Sequence, residues 1–204
     1  MLTGYADGGL ELRRRSDGSA RLRGRFPYNS RAVLSDGGRT GRPRKEQFAP
    51  GAFRYSVETD QEVHLLAGHS FDRPLASRGA GSLSLEDTPE ALLFNATIAP
   101  QMMDTAHVRD ALAALSAGLI VGISPGFRIP PQQTVPNAES VEEENPAEGR
   151  ALIRTIHEAI LFELSLVARP AYSQTEIEAR NWDAQSVGSH NGYGLHRTLN
   201  RWRA

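Results

Sequence analysis

Two short runs of alternating apolar and polar residues, Leu10 to Arg15 and Ala20 to Phe26, flank Asp17-Gly18 and predict a β-hairpin. The polar, Gly/Arg-rich stretch Asn29 to Glu46 breaks the alternation and is expected to be a mobile surface loop. Phe48-Ala49-Pro50-Gly51-Ala52-Phe53 reads as a turn leading into a short helix. Val63 to Ala67 is a compact apolar run, the pattern of a buried strand, and it stops at Gly68-His69. Ser82 to Glu86 and Ala91 to Ile98 form a second hairpin pattern, joined through Asp87-Thr88-Pro89-Glu90.

Helical spacing enters later. Asp104 is placed to cap a helix whose Val108, Leu112 and Leu115 make one apolar stripe, with Gly118 as its stop. Leu119 to Ile123 resumes as a strand that Ser124-Pro125-Gly126 interrupts. Pro130 to Gly149 is rich in Pro, Gln and Glu without periodicity, so residues 130–149 are expected to be a disordered acidic insert. Ala151 to Ile156 and Ala159 to Ala168 read as two late strands. From Ser173 the chain turns polar, a helix remnant followed by a flexible tail, which makes residues 1–172 one domain and 173–204 an appendage. Strands outnumber helices and do not alternate with them. A mainly β, α+β fold follows, expected as a closed or nearly closed antiparallel barrel with helices packed outside.

Composition narrows the chemistry. With 39% hydrophobic and 23% charged residues, 204 positions suffice for a packed core. The absence of cysteine excludes thiol nucleophiles, disulfide scaffolds and Cys-ligated metal sites. No apolar run approaches the roughly 18 residues of a membrane helix and no signal-peptide pattern opens the chain, so a cytoplasmic setting is expected. The formal charge of −1 hides an asymmetry. Residues 1–50 carry eleven basic and five acidic side chains, residues 131–180 four and nine. No sustained basic face results, which argues against nucleic acid as a partner. Lys45 is the only lysine among 23 basic residues.

Six histidines are available as bases. His64 and His69 are five apart, on opposite faces of a strand, so a shared metal is not expected, and no HExxH or EF-hand spacing occurs. His107 reads as a surface residue of the helix, and His190 and His196 as solvated. His69 closes a buried strand, where a rigid sheet would hold a general base; a structural histidine is the alternative. Ser124 sits where a strand breaks, with Pro125 biasing it toward extended backbone; an ordinary turn serine is its alternative. Glu163 lies inside the apolar strand pattern Leu161 to Val167, a costly place for a carboxylate without a partner. A histidine would supply one, as in a serine-protease triad; edge exposure or an arginine partner would serve equally.

Taken in order, several segments resemble the prohead maturation serine proteases of tailed bacteriophages, a group distantly similar to the herpesvirus assemblins. They are Phe48 to Phe53, Leu65-Leu66-Ala67-Gly68-His69, the Leu83 to Ile98 hairpin and Ser124-Pro125-Gly126-Phe127. Glu163-Leu164-Ser165-Leu166-Val167 with Pro170-Ala171-Tyr172 completes the set. The resemblance implies a β-barrel wrapped by helices and a serine endopeptidase with Ser124 as nucleophile, His69 as general base and Glu163 as orienting acid. The assemblin branch uses a second histidine in that last role, which keeps His157 and Glu158 as competing choices. Gly126 N–H, Arg169 and Arg128 are the oxyanion candidates. No cofactor and no metal is implied.

The implied substrates are a scaffold or the scaffolding segment of the major capsid protein, and the protease itself, inside the prohead in the host bacterial cytoplasm. Self-cleavage would remove part of the tail after Tyr172. Homo-oligomerisation is a further expectation; nucleic acid and membrane are not expected partners. An inactive capsid-assembly module with the same fold is the main rival. A small-molecule esterase is disfavoured by the lack of a G-x-S-x-G elbow.

Overall fold

A computed structural model describes residues 3–6 and 10–172 of the chain. The tail expected over 173–204 lies outside the described residues. In chain order, β1 (Thr3–Ala6), β2 (Leu10–Arg14) and β3 (Ala20–Pro27) are followed by β4 (Ala32–Ser35) and β5 (Arg44–Phe48). Helix α1 (Arg54–Glu58) precedes β6 (His64–Ala67), β7 (Ser70–Ser77), β8 (Leu83–Asp87) and β9 (Ala91–Ile98). Helix α2 (Ala106–Ser116) leads to β10 (Gly122–Arg128), β11 (Glu139–Glu143), β12 (Leu152–Ile156) and β13 (Ile160–Val167).

The strands form three open sheets, ordered β1-β2-β3-β9-β8, β10-β13-β6-β7 and β11-β12-β5-β4. The mainly β expectation stands, but the sheets do not close into a barrel. Nor are they purely antiparallel, since β6 runs parallel to β13 and β5 parallel to β12. The hairpin alternation of neighbouring segments cannot reveal pairings between strands about a hundred residues apart. Closure is opposed at the edges: β10 carries Pro125 and β11 carries exposed Glu142 and Glu143, both devices that discourage further pairing. The enveloping helices reduce, among the described residues, to α1, α2 and one turn of 3-10 helix.

Both anticipated hairpins form, β2–β3 and β8–β9. Leu10, Leu12, Ala20, Leu22 and Phe26 face the core at every second position, as the sheet period requires. The stripe on α2 is buried, and Gly118 at φ +70° ends the helix. Its N–H donates to Leu115 O, and that of Leu119 to Ala114 O, the paired bonds of a Schellman motif. Thr105, not Asp104, is the N-cap residue, and its hydroxyl donates backwards to Met102 O instead of capping the helix.

Two stretches expected to lack structure contain strands. Within 29–46, most of β5 forms because its backbone pairs with β12, and β4 because it pairs with β5, while the buried side of β5 holds Glu46, a polar residue that hides the alternation. Arg154 donates to Glu46 at 2.8 Å, and Tyr172 supplies its hydroxyl to the same carboxylate. Burial and that carboxylate hold the Tyr172 phenol well above its ordinary pKa, so it stays a protonated donor. Within 130–149, β11 pairs with β12 although its outward Val141 is exposed. The sole lysine explains the rest: Lys45 Nζ pairs with Glu144, whose other oxygen accepts Ala151 N–H at 3.0 Å, fastening the acidic segment to β5.

An aromatic cluster lies where the sheets meet. Phe48 stacks on Phe53 at 4.9 Å and meets Phe127 edge-on at 4.9 Å, while Phe26 contacts Tyr172 at 5.0 Å. Such pairs add roughly 0.5–1.5 kcal/mol each beyond the area they bury. Three of the motif residues noted above, Phe48, Phe53 and Tyr172, are therefore core residues, and Phe127 packs against them partly buried.

Candidate active site

The sheet β10-β13-β6-β7 has two unlike faces. Leu65, Ala67, Ile123, Leu164 and Leu166 point into the main core. The opposite face carries the polar residues in register: Ser124 lies across from Ser165, and Gly126 across from Glu163. Residues directly opposite on neighbouring strands project from the same face. Ser124, Glu163 and Ser165 therefore share one side of the sheet.

His69 reaches that side from a tight turn. Ala67 pairs with Ser70, leaving Gly68 and His69 as a two-residue hairpin loop with φ of +67° and +60°. Positive φ at both central positions is what a type I′ turn demands. Glycine adopts it freely, whereas a non-glycine residue there is uncommon and is held by its surroundings. The holding contacts are visible. Gly68 N–H donates to Leu166 O at 3.0 Å and His69 N–H donates to Ser165 Oγ at 2.9 Å. Ser165 Oγ donates in turn to Glu163 Oε2 at 2.6 Å, and Glu163 Oε1 accepts from His69 Nδ1 at 2.7 Å. These three bonds close a ring that fixes the His69 backbone and imidazole to one carboxylate.

Glu163 is 6% exposed, and the two donors offset the cost of burying its charge; no arginine shares it among the described residues. The His69 side chain is 48% exposed, so its other nitrogen, Nε2, remains open to a reacting group. No hydrogen bond joins Ser124 to His69. An imidazole oriented through Nδ1 by a buried carboxylate is equipped to accept a proton at Nε2.

The remaining sequence candidates are dispersed. His157 Nε2 is bonded to Ser140 at 2.8 Å on another sheet, and Glu158 is exposed at the turn before β13. His107, expected at the surface, is half-buried and bonded to Pro74 O at 2.9 Å. Arg169 is exposed just beyond β13, and Arg128 lies over the Phe162 ring at 5.4 Å.

The strand break expected at Ser124-Pro125-Gly126 does not occur, because β10 runs through it. Leu166 O serves β6, and Val167 O accepts Val121 N–H at 3.2 Å on the β10 side, so alternate residues of β13 address opposite neighbours. Glu163 and Ser165 thus face β10 in the ladder. Pro125, opposite Leu164, turns its missing N–H to the open edge, where proline is tolerated. The same alternation directs Gly126 N–H into the ladder toward Glu163, and away from an oxyanion. What Gly126 supplies is space. A Cβ there would stand 2.7 Å from Cδ and 2.8 Å from Cγ of Glu163, and nearer still to Oε1.

Two residues of this constellation escape a sequence reading: Ser165, which looks like any strand serine, and Gly126 in its steric role. A buried serine two positions from a buried glutamate was the available signal for the first. Beside Gly126 and Glu163 a cleft of about 560 Å³ opens, lined also by Glu62, His64, Phe71, Phe127 and Phe162.

A histidine–carboxylate pair with a serine on the same sheet face is the set of groups that serine-type acyl transfer employs. A family model for the caudovirus prohead serine protease matches residues 33–189, and the chain belongs to that family. Membership makes it a serine protease of capsid maturation. No curated protein and no solved structure matches the chain. No helix among the described residues is long and apolar enough to cross a membrane.

Proposed function

We propose that this protease uses Ser124 as nucleophile, His69 as general base and Glu163 as orienting acid. The observation that carries the assignment is the closed ring of His69, Glu163 and Ser165 on the sheet face that Ser124 shares. His69 Nε2 takes the proton from Ser124 Oγ as that oxygen attacks a peptide carbonyl carbon. Glu163 stabilises the imidazolium so formed. Collapse of the tetrahedral intermediate breaks the C–N bond, and the imidazolium hands its proton to the leaving amine. Water, deprotonated by the same imidazole, then hydrolyses the acyl-enzyme and restores Ser124. The oxyanion is served by a guanidinium, with Arg128 over the Phe162 ring and Arg169 beyond β13 as the candidates.

The substrates that family membership supports are a scaffold, or the scaffolding segment of the major capsid protein, processed inside the prohead. The protease is also its own substrate in this reading, cut within the polar stretch 173–204. Co-expression with the cognate capsid protein, read by intact mass, tests the assignment. Wild-type enzyme should remove a defined piece of capsid protein and shorten its own chain, and Ser124→Ala should do neither. Equal masses from both proteins in assembled proheads would refute Ser124 as nucleophile and leave an assembly role in its place.

A further inference from the structure

The cleft beside the His69–Glu163 pair is poorly explained as packing. Phe71 is 60% exposed and Phe162 37% exposed, two aromatic rings held at the surface at the cleft wall, with Phe127 between core and cleft. The single other carboxylate in the wall, Glu62, is already engaged. Its Oε2 accepts Gly79 N–H at 2.7 Å and its Oε1 lies 3.6 Å from His64 Nε2. His64 in turn rests its ring edge-on against Phe71 at 5.7 Å. The Arg128 guanidinium sits over Phe162 and places a positive charge at this wall. What remains is largely the apolar surface of the three phenylalanines, with the Glu62 carboxylate at one margin and the Arg128 guanidinium near the Phe162 side. At about 560 Å³ the cleft falls in the size range of ligand pockets.

Its position relates it to the chemistry. Gly126 and Glu163, which form its inner wall, lie two residues along their strands from Ser124 and Ser165. That is a span of about 7 Å, the length of two residues of extended peptide. We infer that this cleft is a specificity subsite for a bulky apolar side chain, of leucine, methionine or phenylalanine size, within two residues of the scissile bond. The inference rests on the proposed catalytic role of Ser124 and adds the substrate class to it. Phe71 and Phe162 are the residues that set the preference, and both are exposed enough to be replaced without opening the core.

The test incubates the purified full-length chain with a complex peptide library and identifies cleavage sites by mass spectrometry, for wild type, Ser124→Ala, Phe71→Ser and Phe162→Ser. Wild type should show one position within two residues of the cut dominated by bulky apolar side chains. The two phenylalanine variants should each lose roughly tenfold in kcat/KM on a leucine-bearing peptide relative to its alanine counterpart, the discrimination expected from truncating an apolar pocket wall. Cleavage by wild type without that preference, with a preference for basic or acidic side chains, or with one that survives both substitutions would overturn the subsite alone. Absence of Ser124-dependent cleavage would overturn the subsite together with the catalytic assignment.

Discussion

Replacing Gly126 by alanine should disable the enzyme through a carboxylate that alanine never bonds. The backbone of Gly126 does not occupy the positive-φ region, so the substitution introduces no conformational strain. Its whole effect is the new methyl group, placed 2.7 Å from Cδ of Glu163 and 2.8 Å from Cγ. Unstrained carbon contacts lie at about 3.5–4.0 Å, so the Glu163 side chain must retreat by about 1 Å. The bond from His69 Nδ1 to Glu163 spans 2.7 Å and does not survive such a shift as a hydrogen bond. Misplacement on that scale costs about a hundredfold in rate. Disturbing a buried, bonded carboxylate should also lower stability by about 1–3 kcal/mol. The assay is a time course of capsid-protein cleavage by intact mass, paired with thermal unfolding. Gly118→Ala is the control: φ there is +70° and nothing lies within 4 Å of a new Cβ, so it should cost about 1–2 kcal/mol of stability and leave activity intact. A Gly126→Ala enzyme within threefold of wild type would refute the ring as the source of His69 orientation.

Other outcomes follow from the same contacts. Ser165→Ala removes the hydroxyl that joins His69 N–H to Glu163, and should lower kcat about tenfold with KM unchanged; an equal rise in KM would point to a disturbed cleft instead. Glu144 is held below its ordinary value of 4.5 by the Lys45 hydrogen bond and by Ala151 N–H, so the unfolded chain binds its proton first as pH falls. Its contribution to stability is complete above about pH 4.5 and is lost below it, and Glu144→Gln should flatten that part of an acid-unfolding series. A variant with an unchanged acid limb would show that the Lys45 pair does not link folding to pH.

Strand patterns with clear alternation were legible from residues alone, and β2, β3, β6, β8, β9 and β13 stand close to where their apolar positions put them. What escaped has common physical causes. In β5 the inward position is Glu46, satisfied by Arg154 and Tyr172 from segments over a hundred residues away. In β11 backbone bonds, ion pairs and the Ser140–His157 hydrogen bond fix an exposed edge with no buried apolar side chain. Pro125 looked like an interruption because sequence does not tell an edge strand from a central one. For the candidate site, the strand-end position of His69 and the apolar setting of Glu163 marked both residues as candidates with structural alternatives, and only the family resemblance gave them roles. Their bond depends on the parallel pairing of β6 with β13, which no local pattern encodes. The motif blocks also mixed two duties, since Phe48, Phe53 and Tyr172 build the aromatic core while His69, Glu163 and Ser165 belong to the polar ring on the other sheet face.

The place of β13 in its sheet has a temporal meaning. Synthesised last among the strands described, it lies between β10 and β6, both made earlier. A nascent chain that has completed His69 and Ser124 still lacks Glu163, Ser165 and the strand that holds the two flanking segments in register. His69 therefore has no carboxylate partner until residues 160–167 take their place in the middle of the sheet. Under the proposed assignment, a copy terminated before residue 160 should carry the serine and the histidine without their carboxylate, and a truncation ending there should leave capsid protein uncut.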